Sequence, residues 1–303
     1  MKKKQKNEDK IHIKTTRRTR KLKLSSGAFI LPSFLGVMAF FILPFLVVVV
    51  YSLVDSPITN NFVLFENYKY TMGNSAFKTA VVNTFTFSVA AVPLAVVLSL
   101  LLAIVLDTKL PFRSQFRTFF LSPMMVPVAS IVLIWQVLFH YNGAVNEVLM
   151  ALGGRKIDWI KSDYALIVVV ILFLWKNLGY NMIMFMAALA SIPRDILEVA
   201  RLESATPLQT FFYIKIRYLS STLLFVTIMS LISSFKIFRE VYLLTGDHPY
   251  DSIYTLQHFM NNKFKSLDYP TLSSAAILMS LVMIVIIGIL FVTENRFGKD
   301  VEG

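Results

Sequence analysis

Hydrophobic residues gather along the chain into six long stretches, 27–53, 79–106, 119–139, 164–190, 220–244 and 272–293, separated by shorter polar segments. About 20 apolar residues at ~1.5 Å rise each cover the roughly 30 Å hydrocarbon core of a bilayer, so each stretch is long enough to cross one as a helix. None alternates polar and apolar positions as a barrel strand does, and lipid offers backbone groups no partner outside a helix or a closed barrel. The pattern predicts an all-α polytopic membrane protein: six transmembrane helices in one domain, 27–296, with polar tails at 1–26 and 297–303.

The segment 192–219, between the fourth and fifth stretches, is more than a loop. Pro193 is tolerated in the first turn of a helix, and Asp195 suits its positive end. Arg194, Glu198 and Arg201 recur at helical spacing on one side, while Ile196, Val199, Ala200 and Leu202 supply apolar contact. Thr206-Pro207-Leu208-Gln209 reads as a capping box that opens a second helix, with the threonine at its N-cap and the glutamine three positions on. Leu208, Phe211, Phe212, Ile216 and Leu219 continue at helical spacing. Two short helices with a turn at 204–206 are expected to project from the membrane.

Composition agrees with this picture: 56% hydrophobic, 16% charged, mean hydropathy +0.63. The net charge of +12 changes it only through its location. A run of lysines and arginines from Lys2 to Lys23 precedes the first stretch, which places the N-terminus in the cytoplasm by the positive-inside rule; an even number of crossings returns the C-terminus there. Arg113, Arg117, Arg194, Arg201, Lys215 and Arg217 fall on the same side. Topology thus accounts for the basic run without nucleic acid, with anionic membrane lipid as its natural neighbour. The first stretch is about twice as long as a usual secretory h-region and is expected to stay as an anchor.

The chain has no cysteine and four histidines, His12, His140, His248 and His258, that lie far apart in sequence. Disulfides, thiolate metal sites and cysteine nucleophiles are excluded, and no metal-ligand spacing is present. No carboxylates, histidines or nucleophile–base pair converge as a membrane enzyme would require. A secondary carrier or channel is one alternative, but the paired intramembrane acids it would use are nearly absent.

The run Ile192-Pro193-Arg194-Asp195-Ile196-Leu197-Glu198-Val199-Ala200-Arg201-Leu202-Glu203-Ser204-Ala205 resembles the EAA loop of ABC importer permeases. Leu31-Pro32-Ser33, Phe65-Glu66-Asn67-Tyr68, Asn83-Thr84, Leu174-Trp175-Lys176-Asn177-Leu178-Gly179-Tyr180 and Tyr242-Leu243-Leu244-Thr245-Gly246 are similar to the carbohydrate-type permeases of the maltose and glycerol-3-phosphate systems. The resemblance implies a type I importer permease in a bacterial or archaeal cell membrane, translocating a sugar or oligosaccharide by ATP-driven alternating access. It implies an ABC ATPase dimer, a second homologous permease and an extracellular or periplasmic solute-binding protein as partners. It further implies that Glu198, Ala200, Arg201, Glu203, Ser204 and Ala205 couple the permease to the ATPase. This chain departs from the pattern at Val199, at Ser204 where glycine is expected, and at Arg217 where proline is usual. No cofactor is expected in the chain itself, ATP and Mg being held by the ATPase: Gly73-Asn74-Ser75-Ala76-Phe77-Lys78-Thr79 lacks the second glycine of a phosphate-cradling loop.

For the solute pathway the same resemblance points to Met124 and Val128, near Pro123 and Pro127, and to Ser230, Ser233 and Ser234. Lys176 lies about 12 residues, or ~18 Å, into the fourth stretch. An intramembrane charge is costly and by default faces a cavity. Glu240 and an interhelical contact are the visible ways to neutralise it, and the lysine either contacts solute or packs against backbone carbonyls or the partner permease. Gly179 permits close approach, and Tyr180 and Asn181 suit the faces and hydroxyls of a sugar. The serines serve equally well as small helix-packing residues. Lys236, Arg239 and Glu240 lie nearer the outer face, where snorkelling explains them. Met182, Met184 and Met186 read as core or lipid-facing packing, and Trp135, Trp159 and Trp175 as scattered, with only Trp159 at an expected interfacial belt.

Overall fold

The computed structural model describes residues 30–108 and 111–297. The expected basic tail 1–26, and all but the first residue of the expected tail 297–303, lie outside the described residues. Thirteen helices account for nearly everything else: α1 (Ile30–Leu53), α2 (Glu66–Gly73), α3 (Ser75–Asp107), α4 (Arg113–Met125), α5 (Val128–Leu138), α6 (Ala144–Ala151), α7 (Ala165–Ala190), α8 (Arg194–Leu202), α9 (207–218), α10 (Ser220–Phe235), α11 (Phe238–Thr245), α12 (Leu256–Lys265) and α13 (Tyr269–Phe297). Extended pairing among the described residues is limited to a single bridge between Val54 and Phe62.

Five crossings follow the hydropathy pattern: α1, α3, α7, α10 with α11, and α13. The third expected crossing, 119–139, is not one helix. It is the pair α4 and α5, bent by 101°. Pro127 has no N–H to continue a helix, and its ring forces Val126 into extended geometry (φ −89°, ψ 131°). A hydropathy window averages across that break because Val126 and Pro127 are themselves apolar.

The centre of the bundle is the contact between α3 and α7. Along α3, Ala91, Ala95, Ser99 and Ala103 recur every four residues and are all fully buried. This small-residue seam lets the two backbones approach closely, which is how membrane helices gain packing when burial from lipid supplies no driving force. Phe87, Ala91 and Ala95 meet Ala165, Val169 and Phe173 in one cluster, and Ala103 and Leu106 meet Met182, Phe185, Met186 and Leu189 in another. Met182 and Met186 are therefore core residues. Asn74 caps α3, its side chain accepting from the Ala76 and Phe77 amides.

At the end of the bundle opposite the 192–219 segment, polar side chains lock the connections. Asn67 donates to the carbonyls of Ser52 and Val54, and Asn83 donates to those of Asp251 and Tyr254. Asn146 is fully buried and ties the 141–159 loop together: it donates to Tyr141 and Ile157, and accepts from the Ile157 amide and the Trp159 indole. Gly246 ends α11 at φ +81°, ψ −157°, a conformation closed to residues with a Cβ. His258 caps α12 through Nδ1 and Thr255; burial pushes its imidazole down to about 4, so it is neutral at physiological pH. The three tryptophans, far apart in sequence, are brought together. Trp135 stacks on Phe139 at 5.0 Å and tilts against Trp175 at 6.4 Å, and Phe139 in turn meets Trp159 at 6.0 Å.

Candidate functional site

Two arrangements stand out, one at each level of the bundle. The first is the hairpin α8–α9. Its turn closes with two bonds, from the Ser204 amide to the Arg201 carbonyl (3.0 Å) and from the Ala205 amide to the Ala200 carbonyl (2.9 Å). This is a Schellman C-cap, and it holds Ser204 at φ +59°. A left-handed residue with a Cβ costs roughly 1–2 kcal/mol, so the turn keeps the geometry of a glycine without having one. The expected capping box is present: Thr206 Oγ1 accepts from the Gln209 amide at 3.3 Å, and Gln209 Oε1 accepts from the Thr206 amide at 2.8 Å.

The hairpin is rooted in the membrane core and bare at its tip. Ile192 and Leu219 are buried in the same cluster as Leu106 and Leu189, and Leu197, Phe211 and Ile216 pack against it. By contrast Leu202 and Leu208 are 85% and 71% exposed, and Tyr213 is 70% exposed. Glu198, Arg201 and Glu203 are exposed beside them, while Ala200 is buried and Ala205 half-buried. A notch of ≈ 620 Å³ opens between the two helices, lined among others by Asp195, Val199, Glu203, Ser204 and Tyr213. Apolar residues left this open, in a rigid frame ringed by charge, form a surface able to receive another protein.

The second arrangement is a polar layer between α3, α7, α10 and α11. Lys176 forms an ion pair with Glu240, whose side chain is only 5% exposed against 30% for the lysine. Glu240 is thus a buried counter-ion, and the expectation that it snorkels does not hold for it. Asn181 donates to Ser230 at 2.9 Å, and Ser234 shares a hydrogen bond with Ser88 at 2.9 Å; all four are buried. Ser230 and Ser234, four apart, face inward, whereas Ser233 turns toward a cavity of ≈ 450 Å³ that Lys176 also lines. Ser88 and Asn177 were not singled out from sequence. The signal for Ser88 was its place four residues before Val92 in the inner face of α3, and Asn177 was masked by its charged neighbour.

The other candidates are dispersed. Gly179 is buried at the crossing of α7 and α4: a Cβ there would lie 1.9 Å from the Phe120 carbonyl oxygen. Met124 is 52% exposed beside the α4–α5 break, Val128 is half-buried against the Trp135 cluster, and Tyr180 is 37% exposed. Gly179→Ala is expected to force α4 and α7 apart and cost about 1–3 kcal/mol, the range for overpacking. The check is the thermal midpoint of the detergent-purified protein, with Gly288→Ala in α13, where a Cβ meets nothing within 4 Å, as the control; an unchanged midpoint would mean that α4 does not approach α7 this closely.

Residues 95–301 match the family model described as binding-protein-dependent transport system inner membrane component. The multiple sugar-binding transport system permease MsmF of Streptococcus mutans is 29% identical over 80% of this chain and 83% of its own length. The lactose transport system permease LacF of Rhizobium radiobacter is 30% identical over 71% and 73%. In structure, the chain is similar to a subunit of a bacterial ABC transporter that imports the acidic polysaccharide alginate, with a TM-score of 0.79 over 92% of this chain and 98% of that one; at 18% identity this likeness concerns the fold alone.

Proposed function

This chain belongs to the family of binding-protein-dependent transport system inner membrane components, and from that membership we propose that it is one of two similar permease subunits that together carry a sugar or oligosaccharide across a cell membrane. It is a multi-pass membrane permease and not itself the ATPase. Several named relatives handle saccharides, which supports a carbohydrate cargo. The observation that carries the reading is the hairpin at 192–219: core-packed at its base, fixed by a Schellman turn and a capping box, and bare at an apolar, charge-ringed tip. Such a tip suits the surface cleft of an ATPase dimer that binds ATP and Mg, with Glu198, Arg201 and Glu203 as the polar contacts and Ala200, Ser204 and Ala205 shaping the turn.

In this reading the hairpin and both termini face the cytoplasm, and a solute-binding protein delivers cargo to the opposite end. The polar layer lies on or beside the solute route, Lys176 and Ser233 at the cavity and the buried Asn181, Ser230 and Ser234 behind it, while Gly179, Tyr180, Met124 and Val128 are dispersed elsewhere in the bundle. Supercomplex purification and thiol labelling test this together. An ATPase and a second permease are expected to copurify with the chain. Single cysteines introduced at Ser25 and Ser204 are expected to resist a membrane-impermeant thiol reagent added to intact cells, whereas one at Ser162 reacts. Labelling of Ser204 from outside, or purification of the chain without an ATPase, would overturn the assignment.

A further inference from the structure

Lys236 and Arg239 flank the short break between α10 and α11, and both are exposed. Neither makes an ion pair among the described residues. They turn into the ≈ 450 Å³ cavity already met at Ser233 and Lys176, whose wall also carries the amides of Asn177 and Gln257. The lysine at 176 has its charge matched by Glu240. Two positive charges in the same cavity therefore have no counter-ion.

Their position makes this unusual. Lys236 follows the 16 residues of α10, or ~24 Å of helix at 1.5 Å per residue, within the reach of a roughly 30 Å hydrocarbon core. A cation at the centre of a membrane costs about 2.5–3.5 kcal/mol on insertion scales, less toward the interface, and such residues face water-filled routes and mark ion or substrate paths. Lys236 and Arg239 lie near the outer end of the crossing, where snorkelling relieves part of that cost, and they line a cavity shared with Lys176, which sits deeper in α7. The arginine fork matches a carboxylate, and the amides of Asn177 and Gln257 with the Ser233 hydroxyl match sugar hydroxyls; Glu240, paired with Lys176, is the one carboxylate in the same lining.

We propose that this cavity is an anion subsite on the solute route, and that the cargo is an acidic saccharide whose carboxylate is received by Lys236 and Arg239. The proposal rests on the permease reading above. It commits to a solute carboxylate rather than a lipid headgroup, because the amide and hydroxyl lining that accompanies the charges suits a sugar.

The test uses the complete importer, with its ATPase, second permease and binding protein, in vesicles of phosphatidylcholine alone and with added phosphatidylglycerol. The probes are a short oligogalacturonide and its methyl ester, which keeps the sugar backbone and removes the charge at the cost of one methyl group per carboxyl. The wild-type complex is expected to take up the acid at least tenfold faster than the ester. K236Q/R239Q is expected to lower uptake of the acid about tenfold in both lipid mixtures while leaving basal ATP hydrolysis and the thermal midpoint unchanged. Equal uptake of acid and ester, or no loss in K236Q/R239Q, would overturn the anion subsite while leaving the permease reading intact. A loss seen only with phosphatidylglycerol would assign the cations to lipid and overturn it as well. If the wild-type complex took up neither the acid nor the ester, and a panel of neutral saccharides also failed to drive uptake or ATP hydrolysis, the permease reading itself would fall.

Discussion

Lys176→Met is expected to destabilise the bundle, because it takes from the Glu240 carboxylate, 5% exposed, its ion-pair partner; about 3–5 kcal/mol is the upper bound, since Lys236 and Arg239 line the same cavity and offset part of the charge. The loss is not the worth of the pair. Taking two charges out of water costs nearly as much as their attraction returns, whereas an unpaired buried carboxylate keeps the whole penalty. Glu240→Gln exposes Lys176 to a milder version of the same problem, since the lysine is less buried and can recruit water. The double variant Lys176→Met/Glu240→Gln removes both charges and is expected to recover most of the stability lost in Lys176→Met. Thermal unfolding of the four proteins in detergent closes the double-mutant cycle. Additive losses would show that the two side chains do not interact; a double variant more stable than Lys176→Met is the signature of the pair.

The second large effect belongs to Ala200→Pro. In the interior of α8 a proline removes one helical hydrogen bond and clashes with the preceding turn, costing about 3 kcal/mol or more. Here it also disturbs the carbonyl that accepts from the Ala205 amide and so closes the hairpin turn. The transmembrane core does not depend on that turn, so the variant is expected to insert and extract like wild type. In the reconstituted complex, solute-stimulated ATP hydrolysis and transport are expected to vanish. Glu198→Ala probes the same surface with less disruption. If the carboxylate meets a basic group in a desolvated interface, removing it costs about 2–5 kcal/mol; if it stays in solvent, about 1 or less. Wild-type stimulation and transport in both variants would end the view of this hairpin as the coupling element.

Much of the architecture was legible in the linear pattern. The apolar runs located the crossings because a bilayer demands a continuous stretch of side chains, a constraint local to each helix. The capping box at Thr206 and Gln209 was legible for the same reason, since capping partners sit three residues apart. Helix-start and spacing signals from Pro193 onward located the hairpin, and Ser204, where the family pattern has glycine, holds the glycine conformation, φ +59°. The break at Val126–Pro127 was visible only as a proline. Two prolines lie in that stretch, and Pro123 is carried within α4 while Pro127 ends the crossing's first half; local sequence does not distinguish a tolerated proline from a terminating one when neighbouring helices decide which carbonyls are re-satisfied.

The sequence by itself therefore determined the membrane class, the crossings, the capped hairpin and the chemical types available in the polar layer, because each depends on residues within a turn or two of one another. Tertiary structure decided the partners. Lys176 and Glu240 are separated by 64 residues, Ser88 and Ser234 by 146, and the seam of Ala91, Ala95, Ser99 and Ala103 acquires its meaning only when α7 lies against it. It also sorted three neighbouring serines, sending Ser230 and Ser234 into the core and Ser233 to the cavity. Helical spacing places 230 and 234 on one face, but which face is inside depends on how α10 is rotated against α3 and α7. That rotation is set by packing between distant segments, to which no local pattern has access.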